Sequence, residues 1–486
     1  MPARTGAQYI AGLRERSAEI YINGEQVKDV TTHPALCNGV RTMANLYDMQ
    51  HDPALRDEMT YTSPTTGDRV GLSFITPRTI DELEQRRVMM THWARATCGM
   101  IGRTPDFLNV TIMSLAAAGD YFARNRPEFK DNIHRYYEYV RENDLALTHT
   151  LANVQRTRSP LAVPMPQDDR SDVALKIVRE TDAGIVVRGA RVMATLGPLS
   201  DEVAVYLASS RRVPADDAER YTFAFSIPCN TPGLKFLCRE SLDYGRSHFD
   251  HPLGSRFEEQ DSIVFFNDVL VPWERVFLLG DVDLSNNMVM DTSQYNHSRH
   301  QSVAKNVVKC EFMLGLANLM VHTLGSGQLP HVQQMMAEII ENLEVTRACL
   351  RSAESEAKID RWGVMCPSTT PLMIACKLFI RMYPRMTEIL HLLGSSSLMA
   401  LPTEADLNGP LASEIERYLE TDTSSAEERV RLFRLAWDAC CSAFGSRQTL
   451  YERFFQGDDL LNAGILYNFY DRTPMTDWVR EFLEQE

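Results

Sequence analysis

The stretch Ser159-Pro-Leu-Ala-Val-Pro-Met-Pro166 marks a change in sequence pattern, and it decides the fold class. Its three prolines predict a linker between two kinds of secondary structure. The next patterned segment, Val173-Ala-Leu-Lys-Ile-Val-Arg179, alternates as a strand does. Further strand-like runs begin at Ile185, Val203, Phe223 and Ser262. We therefore predict a middle β domain over residues 159–280.

The sequence on both sides of this β region is helical. In residues 80–150 apolar side chains recur three and four positions apart, as in Asn109-Val-Thr-Ile-Met-Ser-Leu-Ala-Ala-Ala118. Beyond residue 281, three long amphipathic segments follow, over 332–343, 372–393 and 430–444. The pattern predicts a mainly helical N-terminal domain over 1–158 and a C-terminal helical bundle over 281–486.

Composition excludes several classes of partner. The 486 residues are 44% hydrophobic and 24% charged, and 65 acidic against 50 basic side chains give a net charge of -15. This balance argues against a nucleic acid or an anionic membrane as the main partner. No run approaches the roughly 18 apolar residues of a membrane helix, and the first residues lack a secretory signal. We expect a cytoplasmic protein.

The ten cysteines predict no metal site. They include no CxxC pair, and their one close couple is the vicinal Cys440-Cys441 at the end of a helical pattern. Cysteine commonly behaves as a small buried hydrophobe, so reduced core thiols are the expected state.

Two polar segments about forty residues apart carry candidate chemistry: Met100-Ile-Gly-Arg-Thr-Pro-Asp-Phe107 and Leu147-Thr-His-Thr-Leu-Ala-Asn-Val-Gln-Arg-Thr-Arg158. Arg103 follows a glycine and precedes Thr-Pro, which predicts a helix break where a cation and backbone donors converge on a phenolate or carboxylate. His149 is expected at a capped helix end that enters an irregular segment. An imidazole with a pKa near ~6.5 is a suitable neutral base or acceptor there.

These two segments, together with five others, resemble the two-component flavin monooxygenases typified by 4-hydroxyphenylacetate 3-monooxygenase. The others, in family order, are residues 184–195, 255–261, 268–275, 401–406 and 444–453. The resemblance runs from roughly residue 8 to residue 456. It implies an α+β, acyl-CoA-dehydrogenase-like fold and a homotetramer or dimer of dimers.

The resemblance also implies a chemistry. Reduced FAD is a dissociable substrate supplied by a separate NAD(P)H-flavin reductase, and dioxygen is the co-substrate. One oxygen atom is inserted ortho to a phenolic hydroxyl. The implied phenol is 4-hydroxyphenylacetate, a tyrosine-derived or carrier-tethered compound, or a halophenol or nitrophenol that loses its substituent.

Site residues follow from the same resemblance. Arg103 and His149 act on the phenol, Phe107 stands where the family usually has a tyrosine, and Ser209 and Ser210 belong to a mobile loop over the substrate. The implied flavin contacts are Gln155, Arg156, Thr157, Arg158, Thr195, Gly445, Ser446, Arg447 and Gln448. By itself Gly445 would be a helix stop after Phe444.

Other classes are less well supported by the residues. No GxGxxG opens a helix after a strand, so no Rossmann nucleotide site is indicated. A di-iron bundle needs two Glu-x-x-His pairs, and we find only Glu388-Ile-Leu-His391. An iron-sulfur dehydratase of the same fold, a lyase, would need cysteines where Gly102 and Val307 stand. A non-catalytic binding protein of this fold would be expected to lose both Arg103 and His149.

Overall fold

The computed structural model describes residues 3–154, 173–207 and 218–484. Thr5 and Thr79 each begin a helix with a capping box, and Pro105 and Pro127 stand at first helical positions, which explains where these helices start. The helices before the middle region are α1 Gly6–Glu15, α2 Cys37–Met49, α3 Arg56–Met59, α4 Ile80–Ala96, α5 Pro105–Ala117, α6 Gly119–Ala123 and α7 Pro127–Asn143.

Strands occur in the N-terminal, middle and C-terminal parts of the chain. They are β1 Glu19–Ile22, β2 Glu25–Val27, β3 Thr60–Thr62, β4 Arg69–Gly71, β5 Leu147–Thr150, β6 Ala152–Asn153, β7 Lys176–Thr181, β8 Gly184–Thr195, β9 Glu202–Val205, β10 Phe223–Pro228, β11 Leu234–Cys238, β12 Asp261–Pro272, β13 Val276–Leu279, β14 Lys358–Ile359 and β15 Met365–Cys366. Short 3₁₀ turns lie at Leu72–Phe74, Gly197–Leu199, Ala218–Tyr221 and Trp273–Arg275.

Two sheets form the middle of the described structure. The larger has the order β2-β1-β11-β12-β8-β6, with β7 also paired to β8, and the smaller has the order β13-β10-β9-β5. Most pairs are antiparallel, but β1 with β11 and β5 with β9 are parallel. Strands from before residue 158 therefore extend sheets built mainly from the middle region. The boundary at residue 158 stays a prediction.

The rest of the chain is mainly helical, as predicted. The long helix α10 packs against α4, α5, α11 and α12. The helices are α8 Gly254–Phe257, α9 Val282–Asp291, α10 Gln294–Thr323, α11 Pro330–Ser355, α12 Thr369–Gly394, α13 Ser396–Met399, α14 Glu404–Leu407, α15 Ala412–Leu419, α16 Ala426–Cys440, α17 Ala443–Phe454, α18 Asp459–Phe469 and α19 Thr473–Leu483. In the described residues no helix is long and apolar enough to cross a bilayer.

Two local predictions were wrong. Helix α7 does end near His149, with Asp144 in the left-handed conformation, but His149 then lies on strand β5 and not in an irregular segment. All four residues of β5 are buried, so the strand shows no alternation that its sequence could reveal. Gly445 does not stop a helix: α16 ends at Cys440, and Gly445 lies in the first turn of α17.

Asp201 fixes the relative position of β5 and β9. Its carboxylate is fully buried and accepts hydrogen bonds from Arg4 Nη1 at 2.5 Å and from the Ala146 backbone N–H at 2.9 Å. Ala146 and Asp201 each precede the first residue of a strand, and the pairing that follows sets His149 opposite Ala204. One buried carboxylate thus ties the N-terminal segment to the strand that carries His149.

We expect Asp201→Ala to destabilise the protein by about 3–5 kcal/mol, because it leaves the Arg4 guanidinium buried without its anion. Urea unfolding followed by circular dichroism measures this change. The control is Asp57→Ala, which removes an exposed partner of Arg69 and should change stability little. Equal midpoints for the two variants would contradict the role given to Asp201.

Candidate active site

Arg103 lies in the break between α4 and α5, as its sequence context predicted. Its side chain is only 8% exposed, and its guanidinium carbon lies 3.9 Å from the centre of the Phe107 ring. Nη1 donates to the Tyr451 hydroxyl at 2.8 Å, whereas Nε is buried with no hydrogen-bond partner among the described residues. A buried cation with a spare donor can bind an anionic oxygen strongly, because little water competes for it.

Gly102 makes this arrangement sterically feasible. A Cβ atom at position 102 would lie 2.1 Å from the Tyr451 hydroxyl oxygen. Any side chain there would push Tyr451 away from Arg103. The glycine is therefore required by the close approach of α17 to the helix break.

His149 also packs against the Phe107 ring. The two rings meet edge to face, with their centres 5.7 Å apart. Burial, and second the charge of Arg103, lower the pKa of His149 well below 6.5. The imidazole is therefore neutral at physiological pH, and one ring nitrogen keeps a lone pair that can accept a hydrogen bond.

Tyr206 is a neighbour of His149 that the sequence did not reveal. His149 pairs with Ala204 across β5 and β9, and Tyr206 lies two positions further along, on the same face. The Tyr206 hydroxyl lies 3.3 Å from His149 Nδ1 and accepts a hydrogen bond from Gln294 Nε2 at 3.1 Å. A phenolic hydroxyl thus stands beside the imidazole even though position 107 has none.

Arg447 and Thr195 meet at one carboxylate. Arg447 donates to both oxygens of Asp261, at 3.0 and 2.7 Å, and Thr195 Oγ1 donates to Asp261 at 2.9 Å. Although burial opposes it, Arg447 lowers the pKa of Asp261. The structure therefore brings together two of the predicted flavin residues that are 252 positions apart in the sequence.

Glu259 joins this cluster to Arg103. One oxygen of Glu259 accepts from the Arg103 backbone N–H at 2.7 Å, and the other accepts from Arg447 Nη1 at 2.7 Å. Glu259 lies in the segment singled out at 255–261, but its linking role depends on contacts to both helical regions. Arg103, which was predicted to bind the phenol, and Arg447, which was predicted to bind the flavin, are thereby held in one network.

The other predicted residues of α17 face in different directions. Gln448 is fully buried, donates to the Met100 carbonyl at 2.9 Å and accepts from Lys309 at 2.8 Å. Ser446 is exposed. Gly445 is a packing position, because a Cβ there would lie 2.6 Å from the Ala439 carbonyl oxygen. On a helix these neighbours cannot all point at one ligand.

Six predicted site residues lie outside the described residues: Gln155, Arg156, Thr157, Arg158, Ser209 and Ser210. The prediction for these six stays a prediction. The site residues that sequence reasoning missed are Tyr206, Glu259, Asp261, Gln294 and Tyr451. Glu259, Asp261 and Tyr451 stand within quoted motifs, whereas Tyr206 and Gln294 carried no local signal.

Comparison with known proteins assigns the family. The model described as 4-hydroxyphenylacetate 3-hydroxylase N terminal matches residues 5–278, and the corresponding C-terminal model matches residues 285–484. The two matches together span nearly the whole chain.

Individual relatives agree with the family models. The chain is 46% identical to the 4-hydroxyphenylacetate 3-monooxygenase oxygenase component of Geobacillus sp. (strain PA-9), over 99% of this chain and 97% of that protein. It is also 46% identical to the protein of the same name from Thermus thermophilus, over 99% and 98% of the two chains.

Solved structures give the same assignment. The crystal structure of the oxygenase component of 4-hydroxyphenylacetate 3-monooxygenase complexed with FAD and 4-hydroxyphenylacetate superposes with a TM-score of 0.94, at 46% identity, over 99% of this chain and 98% of that one. A glutaryl-coenzyme A dehydrogenase, at 11% identity, a TM-score of 0.51 and coverage of 90% and 94%, shows the fold alone. The predicted acyl-CoA-dehydrogenase-like α+β fold is confirmed, and the chain belongs to the 4-hydroxyphenylacetate 3-hydroxylase family.

Proposed function

We propose that this chain is the oxygenase component of a two-component system that hydroxylates 4-hydroxyphenylacetate, or a closely similar phenol, ortho to its hydroxyl group. The chain is an FAD-dependent aromatic monooxygenase. The observation that carries the proposal is that the buried Arg103 cation and the neutral His149 both pack against the Phe107 ring.

Reduced FAD is the cofactor that we assign, and unpartnered polar atoms at the site fit it. Thr150 Oγ1 on β5 and Asn153 Oδ1 on β6 are buried without a hydrogen-bond partner in the part of the chain that the structure describes. A flavin ring offers both donors and acceptors along its polar edge, so it can satisfy such atoms. Together with Thr195 they would hold the ring. Bound reduced FAD, with dioxygen, supplies the electrophilic oxygen atom.

Arg103 and His149 prepare the phenol for attack on that oxygen. A phenol has a pKa of about 10, so it needs a base and a cation to become a phenolate at neutral pH. Neutral His149 takes the proton, and Arg103 stabilises the oxygen that remains. The negative charge raises the electron density of the ortho carbon, which is the atom that reacts.

In the proposed mechanism, Tyr206 holds His149 in the tautomer that can act as a base. The tyrosine oxygen has two lone pairs, so it can accept from Gln294 Nε2 and also from an Nδ1–H group of His149. That tautomer leaves the Nε2 lone pair of His149 free for the phenol proton. Tyr206 is therefore a positioning residue in the proposed mechanism.

The proposal is tested by combining the purified chain with a generic NADH-flavin reductase, FAD and a panel of phenols. We assign the activity to 4-hydroxyphenylacetate if the product gains the mass of one oxygen atom and if omission of the reductase abolishes turnover. Release of halide or nitrite from substituted phenols at a higher kcat/KM would instead assign the degradative class. Rapid NADH oxidation without any reductase would contradict the proposal that a separate reductase supplies the reduced FAD.

We expect His149→Ala to lower phenol hydroxylation by about 10²-fold or more, the scale for losing a positioned base. Reduced flavin should still be consumed, so hydrogen peroxide replaces the hydroxylated product. Product yield and peroxide, measured in one reaction, give the coupling ratio. Because the pKa of His149 is lowered, the wild-type coupling ratio should stay constant as the pH falls through about 6.5.

Arg103→Ala and Arg95→Ala complete this experiment. Loss of Arg103 should weaken phenol binding as well as turnover, since a cation stabilises the bound phenolate before and during the reaction. Arg95 is an exposed partner of Glu311 and serves as the matched control. If His149→Ala instead lost flavin binding and kept full coupling, His149 would belong to the flavin site.

We expect Tyr206→Phe to reduce coupling by roughly 5- to 10-fold, because one hydrogen bond of about 1 kcal/mol no longer fixes the imidazole. A structural role would lower stability without changing the coupling ratio. The double variant Tyr206→Phe, Phe107→Tyr tests this directly, since the side chain at position 107 also packs against the imidazole and its new hydroxyl should restore part of the coupling. An unchanged coupling ratio in Tyr206→Phe would rule out the positioning role.

We further propose a cytoplasmic homotetramer that receives reduced FAD from a separate NAD(P)H-flavin reductase. The support for self-association is helix α19, which exposes a set of large apolar side chains on one face: Met475, Trp478, Val479 and Phe482. Exposed apolar sets of this kind mark contact surfaces. The cytoplasm is where such a reductase finds its nicotinamide substrate.

We expect light scattering to give the mass of four chains for the wild type and a smaller assembly for Trp478→Lys, which places a charge in the apolar face of α19. The control is Arg480→Ala on the same helix, which removes an exposed pair with Asp477. A monomeric wild type would overturn the tetramer. An unchanged tetramer in Trp478→Lys would show that α19 is not its interface.

A further inference from the structure

Three potential metal ligands from distant parts of the sequence meet at one end of the helical bundle. His391 lies in the last turn of α12, Cys440 is the last residue of α16, and Cys441 follows it. The ligand atoms of these three side chains all lie within 4.8 Å of one another. None of the three belongs to the candidate active site.

The distance between the two sulfur atoms matches the distance between two thiolate ligands of one metal ion. The Sγ atoms of Cys440 and Cys441 are 3.6 Å apart. Tetrahedral zinc with Zn–S distances near ~2.3 Å places two thiolate sulfurs about 3.8 Å apart. Little movement of α16 is therefore needed for both sulfurs to bind one ion.

The surroundings of the cluster orient the His391 ring and leave the cluster open to ions from solvent. His391 Nε2 lies 2.9 Å from the Cys440 carbonyl oxygen, to which it can donate, and this tautomer leaves the Nδ1 lone pair available. Cys440 is buried, whereas His391 is exposed and Cys441 is half-buried. An ion can reach the cluster from solvent.

Both cysteines would bind as thiolates, because thiolate is the form of cysteine that binds metal ions.

We propose that His391, Cys440 and Cys441 form a binding site for a thiophilic divalent cation of the zinc type, with water in the fourth position. Two thiolates and an imidazole are ligands for Zn²⁺ and softer ions, whereas Mg²⁺ and Ca²⁺ need oxygen. Binding releases the thiol protons to solvent and changes no oxidation state. The ion joins α12 to the end of α16, just before α17, the helix that carries Arg447 and Tyr451.

The test uses the whole protein, reduced with a phosphine and checked by thiol titration. Co²⁺ is the probe, because a cobalt–thiolate site gives a near-ultraviolet charge-transfer band and tetrahedral ions absorb strongly in the visible. We expect one equivalent of Co²⁺ to produce both bands and Zn²⁺ to abolish them. Zn²⁺ should also raise the thermal unfolding temperature of the wild type.

Variants decide whether these three residues are the ligands. Cys441→Ser and His391→Ala should each weaken Co²⁺ binding by more than about 100-fold, since even an outer hydrogen-bond partner of a ligand is commonly worth 10- to 100-fold. Cys37→Ser, at a half-buried cysteine elsewhere, should bind as the wild type does. His391 is exposed, so His391→Ala decides the question if Cys441→Ser fails to fold.

Two results would overturn the proposal. One is a fully reduced wild type without a cobalt–thiolate band. The other is a band that keeps its intensity and affinity in His391→Ala, because the ion would then bind elsewhere.

Discussion

The buried contact of Arg447 with Asp261 and Glu259 is the constraint on which the candidate site depends. Arg447 comes from the C-terminal helices, and the two carboxylates come from the segment that leads into β12. Glu259 then holds the backbone of Arg103, which belongs to the N-terminal helical region. Removing Arg447 would leave Glu259 without a cationic side-chain partner among the described residues, so this contact helps to fix the three regions relative to one another.

A second buried hydrogen-bond network holds α17 against α10. Lys305 and Lys309 both donate to one oxygen of Glu452, at 2.6 and 2.7 Å, and Lys309 also donates to Gln448. Burial lowers the pKa of Lys309 to about 8, although Glu452 opposes this. The two networks hold different faces of one helix, and this explains why Tyr451 reaches Arg103 with so little space around Gly102.

The exclusion of water from the site affects both proposed catalytic residues. Burial that keeps His149 neutral also makes the Arg103 charge effective, because both effects come from the exclusion of water. The same exclusion makes the position of each hydroxyl important. Phe107 carries no hydroxyl, and the Tyr206 hydroxyl lies near the imidazole from the neighbouring strand. The absence of a hydroxyl at position 107 is thus compatible with a polar contact supplied by another residue.

The sequence by itself determined the order of helix, sheet and helix, because the periods of apolar residues are local properties of the chain. It also determined the helix break at Arg103, because the neighbouring glycine, threonine and proline restrict the local backbone conformation. The motifs identified the family and, through it, predicted the flavin chemistry. Local reasoning was wrong for His149 and Gly445, since a fully buried strand and a packing glycine have no local pattern that distinguishes them.

Only the tertiary structure decided which polar residues meet. Tyr206 reaches His149 through the parallel pairing of β5 with β9, whose register depends on the buried Asp201. His391 reaches Cys440 and Cys441 because α12 packs against α16. These contacts join residues 49 to 57 positions apart. No local propensity encodes such a pairing, because its free energy comes from burial that exists only once the sheets and the bundle have formed.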